Sequence, residues 1–274
     1  MTEYNFSTHE PVDLQVETGK GTVDVTCTDT TETRITVEGR DADGVQVEQA
    51  GTRISVVAPR NRGGFFGGDA ELFVTAVVPT ASNLSVKTGS ADVAVEGDAG
   101  AVAVKSGSGD VGIQTGRGPV LVETGSGDIR VDHAQDALRV KSGSGDVKLG
   151  HGGGEIAIST GSGDVEIGAS HSVAVVKTGS GDLRVRESHA DVSLATGSGD
   201  FVVDRALRGR LTAKGASGDI LVGIPEGLPV WTDLTTVSGS IRSSIEGAGQ
   251  PAEGEDHIEL RAKTVSGDIV LNKA

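Results

Sequence analysis

The chain is predicted to fold as an all-β, single-domain solenoid, a right-handed parallel β-helix with 18-residue coils of two short strands and two turns. Three observations predict it. An aspartate returns every 18 residues, at Asp92, Asp110, Asp128, Asp146, Asp164, Asp182 and Asp200. A strict period in this range marks a repeat architecture in which each unit buries its apolar side against its neighbours. Each of these aspartates ends the same phrase, Thr or Ser followed by Gly-Ser-Gly-Asp, with the first copy altered to Gly89-Ser90-Ala91-Asp92. Between the phrases, apolar and polar residues alternate with period two, as half-buried strands do.

The first 80 residues are β-rich but irregular. Thr18-Gly19-Lys20-Gly21 repeats the turn phrase, so the solenoid is expected to start there with Leu14 and Val16 inward. Alternating runs at 34–38, 45–48, 53–58 and 71–78 read as longer, hairpin-like coils that cap the N-terminal edge. A solenoid needs such a cap to avoid open-ended pairing.

Strict coils fill 81–205. In the coil at 120–137, Val120-Leu121-Val122-Glu123-Thr124 is a strand, Gly125-Ser126-Gly127-Asp128 a tight turn, Ile129-Arg130-Val131-Asp132 a second strand and His133-Ala134-Gln135-Asp136 a looser turn. The alternation places Val102/Val104, Val120/Val122, Leu138/Val140, Ile156/Ile158, Ala174/Val176 and Val192/Leu194 inward on the first strands. On the second strands it places Val111/Ile113, Ile129/Val131, Val147/Leu149, Val165/Ile167 and Leu183/Val185 inward. These small residues fill a thin core, consistent with an aromatic content of 3%.

The two glycines of each phrase permit positive φ without steric cost and let the coil reverse in few residues. The Thr or Ser before them continues the inward parity, and its hydroxyl is expected to cap turn amides or bond the same hydroxyl one coil along. The Asp has the opposite parity and is expected to face solvent. The second turn varies freely, so that edge is chemically irregular. A flattened two-sheet coil is favoured, with a three-sided coil as the alternative.

Looser coils occupy 206–274, where the spacing grows to 19, 21 and 28 residues at Asp219, Ser240 and Asp268. The insertion at 246–256 reads as an exposed loop, and Trp231, the only tryptophan, is expected to plug the core near the C-terminal end. Length alone suggests two domains; the continuous repeat overrides that and points to one.

A net charge of −15 argues against binding nucleic acid or an anionic membrane surface through charge. The lone Cys27 suits a reducing compartment. The first residues carry no basic region followed by an apolar stretch, and no run approaches the length of a membrane span, so a cytoplasmic location without membrane insertion is expected.

The run from Val77 through Pro79-Thr80-Ala81-Ser82-Asn83-Leu84 to Ser90, the Thr-Gly-Ser-Gly-Asp-Val repeats, and the closing Lys263-Thr264-Val265-Ser266-Gly267-Asp268-Ile269 together carry a resemblance. The chain resembles the bacterial "putative adhesin" family of β-strand-repeat proteins, and its actinobacterial branch in particular. The resemblance covers essentially the whole chain. It implies the β-solenoid fold and, through the family's label, adhesion at a surface, and it brings no catalytic or binding residues.

Two features could bind something. The row Asp92, Asp110, Asp128, Asp146, Asp164, Asp182 and Asp200 could hold Ca²⁺, as carboxylates in glycine-rich turns do in calcium-binding solenoids. That motif supplies ligands from both turns at a nine-residue period, whereas here one turn in two has the pattern. The simpler reading is a solvated row bonding turn amides, in which Asp146→Ala costs little. The second feature is the loop at 59–69, where Phe65 and Phe66 beside Arg60 and Arg62 are residue types enriched in interface anchors; folding back over the N-terminal coil is its other reading. His133 and His151, like His171 and His189, are 18 apart and should stack on adjacent coils, near enough to share Zn²⁺ or Ni²⁺ as a weak two-ligand site.

No nucleotide-binding fingerprint, nucleophile elbow or zinc motif is present, and the short turns leave no walls for a catalytic cleft. The expected function is therefore a non-enzymatic intracellular β-solenoid scaffold or protein-interaction module without a cofactor, its partner an unidentified protein or a second copy stacked end to end. The alternative is a cell-surface adhesin or carbohydrate-binding protein exported by another route, with a Ca²⁺-stabilised β-roll behind it.

Overall fold

The computed structural model describes residues 1–59, 71–245 and 256–274. The chain divides into two compact units, Met1–Asp136 and Ala137–Ala274. Both are built mainly from parallel strands that wind as a solenoid.

The first unit has strands β1 (Thr2–Ser7), β2 (Asp13–Thr28), β3 (Glu32–Gly39), β4 (Gln46–Ala50), β5 (Arg53–Val57), β6 (Glu71–Pro79), β7 (Asn83–Ala99), β8 (Val102–Ser108), β9 (Val111–Gly116), β10 (Val120–Ser126) and β11 (Ile129–Ala134). β2 and β7 run unbroken through their corners and pair in parallel along both faces, Leu14 opposite Leu84 before the corner and Val23 opposite Val93 after it. From β7 the coils add in parallel, with Leu84, Val102 and Val120 aligned on one face and Val93, Val111 and Ile129 on the other, and one register shift after Val95 where β7 pairs with β9. Each coil thus contributes two strands, the two-sided form of the coil.

The N-terminal end follows a different rule. On one face β5 lies parallel to the first half of β2, and β4 turns back antiparallel on β5. On the other face β6 lies parallel to the second half of β2, β3 is antiparallel to β6, and β1 antiparallel to β3. Of the hairpin-like caps expected from the alternating runs, β4–β5 is a hairpin, whereas β3 and β1 reach their antiparallel partners from distant parts of the chain. Antiparallel return lets a strand of few residues cover the last coil through a tight connection, which a parallel strand cannot do.

The second unit has strands β12 (Leu138–Ser144), β13 (Val147–Gly152), β14 (Ile156–Ser162), β15 (Val165–Ser170), β16 (Ala174–Ser180), β17 (Leu183–Ser188), β18 (Val192–Ser198), β19 (Phe201–Ala206), β20 (Gly209–Ser217), β21 (Ile220–Ile224), β22 (Val230–Ser238), β23 (Ile241–Ser243), β24 (Ile258–Ser266) and β25 (Ile269–Lys273). All pair in parallel. One face runs β12, β14, β16, β18, β20 in order and the other β13, β15, β17, β19, β21. The order then changes. β24 and β25 stack directly on β20 and β21, and β22 and β23 stack outside them. The last coil in the chain is inserted before the previous one, so the looser coils do not stack in chain order.

Every strand residue assigned inward in the strict coils is at most 3% exposed. Val, Ile and Leu side chains stack on their counterparts one coil along, and each buried one contributes about 1.5–3 kcal/mol relative to exposure. Phe201 is the bulky exception, fully buried between Leu183 and Ile220 in the same row.

Trp231 does not plug the core. It is 53% exposed, with the Arg261 guanidinium 5.6 Å from its ring centroid. Thr232 and Leu234 of β22 align with the inward Leu260 and Ala262 of β24, so strand alternation sends Trp231 outward.

The second turn is more constrained than its varied composition suggests. Its entry position is buried and small in successive coils: Gly116 aligns with Ala134, and Gly152 with Ser170, Ser188 and Ala206. A Cβ on Gly116 would lie 2.3 Å from Val120 Cγ2, and one on Gly152 2.4 Å from Ile156 Cδ1. The chain turns here with its next inward residue directly above, leaving no volume for more.

Candidate functional site

The tight corners carry the repeated chemistry. Where a glycine of the phrase has positive φ it is the second one, as at Gly127 (121°) and Gly163 (127°), while the first glycines lie outside that region. The first glycine is required for another reason. A Cβ on Gly125 would lie 2.6 Å from the Gly107 carbonyl oxygen one coil away. One glycine makes the turn and the other lets consecutive turns stack.

The Thr/Ser row before the glycines is largely buried, as its parity implies. Its hydroxyls act differently from expectation. Thr124, Ser142, Thr160, Thr178 and Thr196 donate to the carbonyl two residues on, at 2.8–3.0 Å, rather than accepting from turn amides. Thr88 to Ser106, at 3.1 Å, is a hydroxyl bond from one coil to the next. The local acceptor wins because it needs no partner rotamer to be fixed.

The aspartates form a ladder. Oδ1 of Asp92 accepts the main-chain N–H of Asp110, and Oδ1 of Asp110 that of Asp128, at 2.9 and 2.8 Å. In the second unit the same bond runs from Asp146 to Asp164, Asp182, Asp200, Asp219, Asp268 and Ser240, at 2.7–2.9 Å. The ladder follows the spatial order of the coils, with Asp268 before Ser240. A carboxylate bonded to an amide is a charge-assisted contact, so each side chain locks the next corner in register. Asp146→Ala therefore removes an acceptor from the Asp164 amide, and the bonding to turn amides expected of the row runs from one coil to the next. Among the described residues no three of His, Cys, Asp and Glu converge on a shared point.

At the end of the ladder the pairing is denser. Asp268 accepts the Ser240 amide and an Arg242 N–H at 2.6 Å; the Ser240 bonds, with the Arg242 charge, hold its carboxyl below the ordinary range. Glu259 accepts from both Arg210 and Arg261 at 2.6 Å, and Arg210 chiefly lowers its pKa. In the first unit Arg117 does the same for Asp98. Burial, then the Asp98 charge, pushes the Cys27 thiol up to about 11.

The outer faces carry ion pairs across coils. Arg184 grips Asp204 through two bonds of 3.0 and 3.1 Å, and Arg186 pairs with Glu166. At the second turn the His171 and His189 rings stack with centroids 4.4 Å apart, as their spacing predicts, and His189 Nε2 lies 3.5 Å from Glu187. The first unit also has an open groove of ≈ 500 Å³ lined by Arg53, Asn83, Ser85, Ala103 and Leu121 among others. Arg60, Arg62, Phe65 and Phe66, the sequence-based candidates for partner binding, lie outside the described residues.

The chain is similar to solved structures at low identity. The crystal structure of a "putative adhesin" from Bacteroides fragilis is 15% identical over 98% of this chain and 96% of its own, with a TM-score of 0.38. That of a "putative lipid binding protein" from Parabacteroides distasonis is 13% identical over 100% and 96%, with a TM-score of 0.37. No curated protein matches the chain. The Toastrack DUF4097 family model matches twice, over residues 13–152 and 151–272. These two stretches take in nearly all the coils, and the chain belongs to the Toastrack DUF4097 family.

Proposed function

We propose that the chain is a non-enzymatic scaffold or protein-interaction module working inside the cell, with self-association as one of its modes. The observation that carries this reading is the use made of the repeated polar groups. Within each unit the aspartates, the groups best suited to chemistry by number and regularity, bond the next coil's main chain, and the Thr/Ser hydroxyls bond their own turn. Side chains spent on register build a stiff platform, and they leave recognition to the faces, edges and loops.

Cross-linking in the source cells, followed by size separation and composition analysis, tests the reading. The expected result is a discrete complex in which the chain is stoichiometric with a protein partner or with itself. A chain that stays at monomer mass in cells, and is monomeric when purified, overturns it. Fractionation tests the location: recovery in the surface or secreted fraction favours the adhesin alternative.

A further inference from the structure

The outermost coil of the second unit ends in an edge strand, β22, that bonds β24 on one side and no strand on the other among the described residues. Edge strands are usually blunted by Lys, Pro, a bulge or an inward charge. β22, Val-Trp-Thr-Asp-Leu-Thr-Thr-Val-Ser, has none of these and a single charge at Asp233. Around it lie exposed apolar side chains: Trp231 at 53%, Val237 at 77% and Ile241 at 47%. The coil also ends the apolar rows with Leu234 and Ile241, which align with the buried Ala262 and Ile269.

The main chain of β22 has a defined free side. The Pro229 carbonyl accepts the Ile258 amide; in a parallel ladder alternate residues bond the same neighbour. Trp231 and Asp233 therefore bond toward β24, and Val230, Thr232, Leu234 and Thr236 present N–H and C=O to the open edge.

The sequence of this edge is its own complement. Turned end for end about Leu234, β22 sets Trp231 against Val237, Thr232 against Thr236, Asp233 against Thr235 and Leu234 against Leu234. Each step is complementary: exposed apolar on exposed apolar, threonine on threonine, a carboxylate on a hydroxyl donor. A two-fold axis through Leu234 generates this pairing twice over, as an isologous interface requires. We infer that β22 pairs antiparallel with β22 of a second copy, closing both open ends with about six main-chain hydrogen bonds and two Trp231–Val237 contacts. This rests on the module reading above and names the partner as a second copy of this chain.

Disulfide trapping on the full chain tests the register, with Cys27→Ser as background. Asp233→Cys and Thr235→Cys sit on the outward face, the first half-buried and the second exposed, and face each other across the axis about 4.5 Å apart at Cα, inside the range a disulfide spans. Each lies about 8 Å from its own counterpart, outside that range. The expected result is a cross-linked dimer when the two variants are mixed and none from either alone. Sedimentation equilibrium should show a dimer that Val237→Lys weakens at least tenfold, with the melting of the dissociated chain unchanged because this side chain is already in solvent. A dimer or larger complex without the mixed cross-link overturns the β22 pairing and leaves the module reading standing. A purified chain that stays monomeric without cross-linking overturns the inference; if it is also monomeric in cells, the module reading falls with it.

Discussion

The N-terminal end of the first unit and the C-terminal end of the second solve the same problem in opposite ways. At the first, the coil pattern is abandoned. β4 and β1 return antiparallel, the interior rows behind them hold Ile35, Val37, Ile54 and Val56 at 1% exposure or less, and the edges carry Glu3, Asn5, Gln46 and Glu48. At the second the coil pattern is kept to the end. β22 and β23 pair in parallel register, and the interior rows run out into Leu234 and Ile241, with Thr232 and Ser243 beside them. A solenoid coil is complete only when both neighbours are present. A changed topology covers the interior rows and leaves polar edge strands, whereas a repeated one leaves an apolar edge able to accept another strand.

That contrast can be broken most severely in the core. Val140→Asp buries an unpaired charge and is expected to cost about 3–5 kcal/mol, unfolding several coils together. Ile241→Asp, placed at the half-exposed end of the same kind of row, should cost about 1 kcal/mol or less. Urea denaturation of both decides it; equal costs would mean that the outer coil is covered after all.

Glycines give the next largest effect. Gly163→Ala sets a Cβ 2.3 Å from the Gly145 carbonyl at φ 127°, and a loss of about 3 kcal/mol is expected. Gly51, in the turn joining β4 to β5, has φ 64°, and a Cβ there would meet nothing within 4 Å; Gly51→Ala should cost only about 1 kcal/mol. Paired thermal melts measure the difference, which combines the stacking of one turn on the next with a φ of 127° at Gly163 that alanine rarely adopts.

A smaller effect belongs to the ladder. Asp164→Ala strips the Asp182 amide of its acceptor and should cost about 1 kcal/mol. Asp164→Asn keeps an oxygen in place and removes repulsion between neighbouring carboxylates, so it should lie within about 0.5 kcal/mol of the parent. Melts run with calcium and with chelator are expected to coincide; stabilisation by calcium lost in both variants would assign the row to the ion.

The mildest effect is acidification. Asp268 and Glu259 have folded pKa values below their unfolded ones, set first by the Ser240 amide and by Arg210 respectively. Their contribution is present at neutral pH and is lost as pH falls through those depressed values, beneath the ordinary carboxylate range. Trp231, over which Arg261 of the same network sits, reports this coil alone. Its fluorescence should change at acid pH before the global transition; a change coincident with global unfolding would show that the outer coil is no weaker than the rest.

Much of this was legible in the residues. Alternation named the inward side chains from Val102 to Leu194, because strand parity is local and each coil restates it. The stacking of His171 on His189 followed from their spacing alone. The small-residue row Gly116, Ala134, Gly152, Ser170, Ser188 and Ala206 was visible at the same period, and it was hidden by the variety of the residues around it. Trp231 was misplaced because size suggested burial, whereas the parity of Thr232 and Leu234 decided the matter.

The sequence by itself determined the coil: its length, its two strands, its buried rows and the corner that glycine makes possible. All of these depend on interactions within a few residues or on a repeat that aligns with itself. Only the tertiary structure decided which coil lies against which. The coils of β22–β23 and β24–β25 carry the same pattern and either could stack on β20–β21, so their exchange depends on packing across dozens of residues. The same holds for the aspartates, whose acceptor oxygens find an amide in the next coil in space, and for the edge of β22, which among the described residues bonds no second strand because β24 takes the place against β20.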